Sequence, residues 1–174
     1  MDEPRRRLQV LDREVAARCE RTAQAFGPWP CAAGCDACCR SLAAVPELTA
    51  SEWQRVREAI LALTRSERAA VAHAIERRMA LGNERPIACP LLDPDRGLCR
   101  VYEARPIACR TYGFYADRDG VLGCERIAAV AERESDVVWG HHDAVIGVVA
   151  TLGEARSLLE WFADDPTVRT VRSR

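Results

Sequence analysis

Lysine is missing from this sequence. All 25 basic positions among its 174 residues are arginine, so no side-chain amine can form a Schiff base and imine chemistry is excluded. The arginines are spread along the whole chain, which reads as compositional bias rather than as a binding patch. A charge imbalance is missing too. Twenty-six acidic residues offset the arginines to a net −1, so no global field draws the chain to nucleic acid or to an anionic membrane. No apolar run approaches the roughly 18 residues that a membrane helix requires. The opening stretch MDEPRRRLQVLDREVAARCERTAQAF is charged throughout and lacks the apolar centre of a secretory signal. The expected compartment is therefore the cytoplasm, where thiols stay reduced. With only three histidines, neither a Ser/His/Asp nor a Cys/His catalytic pattern is legible, and no nucleotide-binding glycine motif occurs. The sequence assigns no catalytic residue and leans against an enzyme.

What the chain has in excess is cysteine: Cys19, Cys31, Cys35, Cys38, Cys39, Cys89, Cys99, Cys109 and Cys124. A disulfide framework belongs to small secreted chains with an even count. Here the count is odd and the length suits one domain, 1–174, with a core of its own. Metal ligation is the better reading.

Along the chain, residues 5–26 carry Leu8, Leu11, Val15, Cys19 and Phe26 at helical spacing, and the run Gly27-Pro28-Trp29-Pro30 ends that helix. Thr49 with Glu52 is a capping box ahead of an apolar stripe of Trp53, Val56, Ile60 and Leu61. Thr64 with Glu67 opens a second helix, which Gly82 closes. Residues 49–81 are thus expected to form an antiparallel helical hairpin. Residues 83–124 are crowded with prolines and glycines and read as loop. Helices return at the C-terminal end (135–163): one over 135–150, and another capped by Thr151 and Glu154 that runs to Phe162. The fold class is mainly α, a small helical domain with a loop-rich cysteine segment stapled by metal. No strand–helix alternation announces a parallel sheet.

The first cysteine group, CAAGCDACC, places Cys31, Cys35, Cys38 and Cys39 so that two or three residues separate most neighbours. Such spacing lets thiolates curl around one ion at little loop-closure cost, and Gly34 permits the turn. Cys38 and Cys39 are adjacent, and their side chains are expected to diverge, either onto two metals or with one thiol outside the ligand shell. Cys89, Cys99, Cys109 and Cys124 bring the number to eight, or two sets of four. Four thiolates complete a tetrahedral zinc site or hold one iron–sulfur cluster; calcium and magnesium prefer oxygen. Cys19 reads as a small buried hydrophobe on its helix. The pentapeptide RPIAC occurs at 85–89 and 105–109 with different flanks, which favours two independent presentations of a thiol over a duplicated domain.

The order C-x3-C-x2-CC, CPLL, CRVYEARPIACRTYG and CER resembles the YkgJ-family cysteine-cluster proteins over residues 31–128. These carry a zinc- or iron-chelating domain that is also found in flagellin lysine N-methylases. The most specific part is Cys99-x-Val-Tyr-x-x-Arg-Pro-x-x-Cys-Arg, ending at Arg110. The resemblance implies Cys31, Cys35, Cys38, Cys39, Cys89, Cys99, Cys109 and Cys124 as metal ligands, with iron–sulfur the leading cofactor and Zn2+ the alternative. Arg105 and Arg110 would then offset thiolate charge, with Tyr102 and Tyr112 packed around the site. Arg85-Pro86 and Cys19 fall outside the family pattern. His73, His141 and His142 are not demanded by it and read as packed or exposed side chains.

Three functional classes remain. The first is a metal-binding protein with a redox or metal-handling role and a protein or redox partner. The second is a structural zinc module for protein–protein contact. The third is a cluster-dependent enzyme, either a methyltransferase or a radical type using the C-x3-C-x2-C spacing. A radical enzyme would need a barrel of alternating strands and helices, which the sequence lacks.

Overall fold

The structure, a computed structural model, describes residues 3–82 and 84–169. It is mainly helical, as expected. Helix α1 (Glu3–Ala25) buries Leu8, Leu11, Val15 and Thr22 along one stripe and exposes charge on the rest. Gly27, at φ 73°, turns the chain away in the left-handed conformation that a helix end favours. Trp29 then drops into the interior, where its indole donates to the Gly113 carbonyl at 3.1 Å and stacks on Phe114. That anchor fixes where the first cysteine group begins.

A short helix, α2 (Ala37–Arg40), carries Cys38 and Cys39. Strand β1 (Glu47–Thr49) leads into α3 (Ala50–Ala62), and α4 (Arg65–Leu81) follows after a two-residue turn. Both capping boxes are present, at Thr49/Glu52 and Thr64/Glu67, and Gly82 closes α4 at φ 55°. Val56, Ile60, Val71 and Ile75 from the two helices are sealed in one core; each contributes roughly 1.5–3 kcal/mol by leaving water.

The next forty residues hold only short elements: β2 (Leu92–Asp93), β3 (Leu98–Cys99), a 3-10 turn (Tyr102–Ala104), α5 (Ile107–Thr111), β4 (Tyr115–Asp117) and β5 (Gly120–Val121). Asn83, the first residue of the loop expected over 83–124, lies outside the described residues. Helix α6 (Glu125–Arg133), β6 (Gly140–His141), α7 (His142–Ala150), β7 (Ala155–Ser157), α8 (Leu158–Asp164) and α9 (Pro166–Arg169) complete the chain. The strands pair in small sheets: β1 with β7, β2 with β3, and β4 between β5 and β6. All pairings are antiparallel except β4 with β6.

Two expectations for the C-terminal part are corrected. The helix assigned to 135–150 starts only at His142, because Gly140 and His141 pair with β4 and hold the backbone extended. The helix ahead of it, α6, lies at 125–133 and was not expected. Thr151 and Glu154 do not cap the following helix. Residues 155–157 pair with β1, and Ser157 with Glu160 forms the capping box instead.

The interior has two parts. One core gathers Leu48, Trp53, Ile60, Ile75, Leu91 and Leu158, with Cys89 and Cys99 packed against it. The other gathers Leu8, Val15, Trp29, Ile107, Phe114 and Ile127, and against it pack Cys19, Cys31 and Cys124. No helix among the described residues is long and apolar enough to cross a membrane.

Candidate metal centre

Every cysteine is a free thiol and each is half-buried. The eight thiols outside α1 arrive on separate stretches. Cys31 and Cys35 lie on a loop whose turn is closed by a Cys35 N–H bond to the Ala32 carbonyl at 3.0 Å. Cys38 and Cys39 follow on α2. Cys89 is tied to them by its own N–H, which donates to the Cys39 carbonyl at 2.7 Å. Cys99 sits in β3, opposite Leu92. Cys109 lies inside α5, and Cys124 is the residue that caps α6.

The two RPIAC copies therefore present their thiols differently. In the first, the peptide before Pro86 is cis, Arg85 donates to the Leu42 and Ala43 carbonyls, and Ile87 bridges Leu42. This docks the segment on the chain just past the first cysteine group. In the second copy, Pro106 leads into a helix and Cys109 is held within it. Two independent presentations fit these backbones; a structural repeat does not.

Two cavities adjoin the thiols. One, of about 250 Å³, is walled by Cys35, Cys38, Cys39, Cys89, Cys99 and Cys109, with an apolar floor that includes Leu48 and Leu91. The other, of about 240 Å³, is walled by Cys19, Cys31, Cys35, Cys38 and Cys109. Cys35, Cys38 and Cys109 belong to both walls. The adjacent pair does not diverge as expected: the Cys38 and Cys39 sulfurs stand 3.9 Å apart, because the short helix turns both toward the same interior. Among the described residues, no three His, Cys, Asp or Glu side chains already form a shell ready for an ion. The donor chemistry fits zinc or iron, since the assembled groups are soft sulfur donors beside enclosed space. Any metal must draw them together as it binds.

Burial favours the protonated thiol at three of these cysteines. It raises Cys31, Cys109 and Cys99, and for Cys31 and Cys109 the neighbouring thiols add to the effect and push the pKa to about 12. For Cys39 the largest influence, a hydrogen bond with Cys38, lowers the pKa, but the Cys89 thiol and burial outweigh it and the value again reaches about 12. The hydrogen bond with Cys39, then burial, raises Cys38. A group whose pKa rises on folding stabilises the fold below its unfolded value and loses that contribution as pH climbs through the folded value. The metal-free protein should therefore lose helicity between pH 9 and about 12, in step with thiol ionisation. Circular dichroism against pH checks this; a flat profile across that interval would contradict it. Metal binding has the opposite sign, because ligation needs thiolates and strengthens as pH rises.

The arginines divide the work. Arg105 lies over the Tyr102 ring at 3.5 Å and donates through Nε to the Tyr102 carbonyl. Arg110 donates to the Arg105 and Glu103 carbonyls and pairs with Asp12 of α1 at 3.5 Å. Both brace the backbone that carries Cys109. Among the described residues, the Arg126 guanidinium lies 3.8 Å from Cys35 Sγ, a contact not expected from the sequence. Its only signal was its place two residues after Cys124. Tyr102 and Tyr112 line both cavities. Cys19 also faces the second cavity, with its thiol donating to the Arg110 carbonyl at 3.6 Å. The histidines stand elsewhere: His73 is exposed on α4, His141 accepts from the Ala144 N–H as the cap of α7, and His142 meets the Thr111 hydroxyl at 3.4 Å.

Gly113 is required for the Cys31 side of the site. Its φ of 86° suits glycine, and a Cβ there would stand 2.2 Å from Cys31 Sγ. Gly113→Ala should cost roughly 2–4 kcal/mol and displace Cys31. Thermal unfolding and metal content should both fall; a variant with wild-type values for both would show that Cys31 moves aside freely.

Residues 30–135 match the model of a family described as a "putative zinc- or iron-chelating domain". No curated protein and no solved structure matches the chain.

Proposed function

Because more than half of this chain matches that model and the chain thereby belongs to the CxxCxxCC family, we propose that it is a metal-binding cysteine protein that carries iron–sulfur through up to eight thiolates. The ligands are Cys31, Cys35, Cys38, Cys39, Cys89, Cys99, Cys109 and Cys124. The observation that carries this reading is the gathering of seven of these thiols, all but Cys124, around cavities of about 250 and 240 Å³. A single water needs only about 10–15 Å³ measured in this way, so the space suits a guest of several atoms better than one bare ion. Sulfur donors, an apolar floor and nearby guanidinium groups are the surroundings that tune a cluster's potential. The role that follows is redox or metal handling with a protein partner.

Structural zinc is the second reading. It is favoured by the segment from Cys89 to Cys124, whose longest element is the five-residue helix α5. Such a segment gains most from tetrahedral thiolate staples. Visible absorption of protein purified without oxygen separates the two. A brown protein that bleaches on reduction supports the cluster, and a colourless, zinc-containing one supports the staple. A colourless protein without metal would overturn both.

A further inference from the structure

We propose, building on the metal-binding reading, that the eight thiols form two separate four-cysteine centres, Cys31/Cys35/Cys38/Cys124 and Cys39/Cys89/Cys99/Cys109, which meet at the Cys38–Cys39 peptide.

The partition follows from what each thiol rests on. Cys89 and Cys99 pack against the core built from α3, α4 and α8, whereas Cys31 and Cys124 pack against the core built from α1, α5 and α6. Cys39 joins the first pair through the 2.7 Å bond that its carbonyl accepts from Cys89 N–H. Cys39, Cys89, Cys99 and Cys109 all wall the larger cavity, while Cys31 does not reach it. On the other side, Arg126 follows Cys124 on α6 and reaches the Cys35 sulfur, which links those two cysteines. The smaller cavity is walled by Cys31, Cys35 and Cys38 but not by Cys39.

Cys38 is the deciding residue. Its sulfur lies 3.9 Å from that of Cys39, and it borders both cavities. The Cys39 set is complete without it, and the Cys31 set reaches four thiolates only with it. Adjacent cysteines thus serve different centres, and α2 holds the two centres side by side.

The test uses full-length protein stripped of metal under reducing, oxygen-free conditions and titrated with Co2+ alone. Tetrathiolate coordination is read from sulfur-to-cobalt charge-transfer absorption. Wild type should take up about two equivalents per chain, and Cys99→Ser, Cys124→Ser and Cys38→Ser about one each. The double variant Cys38→Ser/Cys124→Ser should still bind about one, because both changes fall in one set, and Cys38→Ser/Cys99→Ser should bind none. A single equivalent in wild type would overturn the partition, as would the reverse pattern for the two double variants. Absence of charge transfer in wild type would instead overturn the metal-binding reading itself. Should a variant fail to fold, alkylation of wild type at partial loading decides. Cys38 should gain protection together with Cys31, Cys35 and Cys124 while Cys19 stays reactive. Protection of Cys38 together with Cys89 would refute the assignment.

Discussion

Chelation should release amide protection from Cys89 to Cys124 while α3 and α4 keep theirs. The reason lies in how that segment is held. Its strands are two or three residues long, and its backbone bonds are mostly isolated ones, such as Cys89 N–H to Cys39, Leu92 N–H to Cys89 and Arg100 N–H to Leu91. Leu91, Leu92, Val101 and Ile107 bury well, so the segment has anchors, but between them lie partly buried thiols. A metal converts those thiols into cross-links, and structural thiolate sites supply on the order of 10 kcal/mol. Loss of even about 3 kcal/mol raises exchange roughly a hundredfold, and native-state hydrogen exchange resolves that. The hairpin helices have capped ends and a shared apolar core and should be insensitive. Unchanged protection after chelation would mean that the anchors alone hold the loops.

Glu52→Ala should be the most damaging single change outside the cysteines. This carboxylate is 2 % exposed and accepts three bonds, from the Thr49 N–H, the Thr49 hydroxyl and the Ile107 N–H, each at 3.0 Å. Its first oxygen thus ties the start of α5, two residues before Cys109, to the start of α3. Alanine would leave the Thr49 and Ile107 amides buried without partners, at a cost of about 3–5 kcal/mol. For a chain of this size that lowers Tm by roughly 10 °C. Metal affinity should fall with it, because α5 loses its tether. Glu52→Gln keeps one acceptor oxygen, enough for Ile107 or for Thr49 but not for both, and should cost less than Ala. Equal losses for Ala and Gln would show that both acceptor oxygens are needed together.

Glu52 also shows how far the sequence could be read. The capping box at Thr49 was legible, since it is local. The bond from Ile107, fifty-five residues away, was not. The same division holds elsewhere. Helices α1, α3 and α4 were foreseen from periodicity and caps, which depend on neighbours in sequence. Two capping signatures, Thr151/Glu154 and Ser157/Glu160, lie six residues apart and look alike; the pairing of β7 with the distant β1 selects the second. Helix α6 went unread although Ile127, Val130 and Ala131 lie at helical spacing and Glu125 suits its first turn; at nine residues the stripe is short and it follows directly on the glycine-rich loop. For the site, spacing and resemblance picked out the eight cysteines. Which thiol rests on which core is a tertiary fact, as is the reach of Arg126 to Cys35. The turn of α2 that brings adjacent sulfurs together was equally out of view.

The central claim is that these thiolates hold a metal cofactor, and metal and acid-labile sulfide measured per chain test it most directly, on protein purified without oxygen. The account predicts iron with matching sulfide, retained in Cys19→Ser and reduced by about half in Cys109→Ser. Zinc without sulfide would replace the cluster by a structural staple. A chain with neither metal would contradict the account.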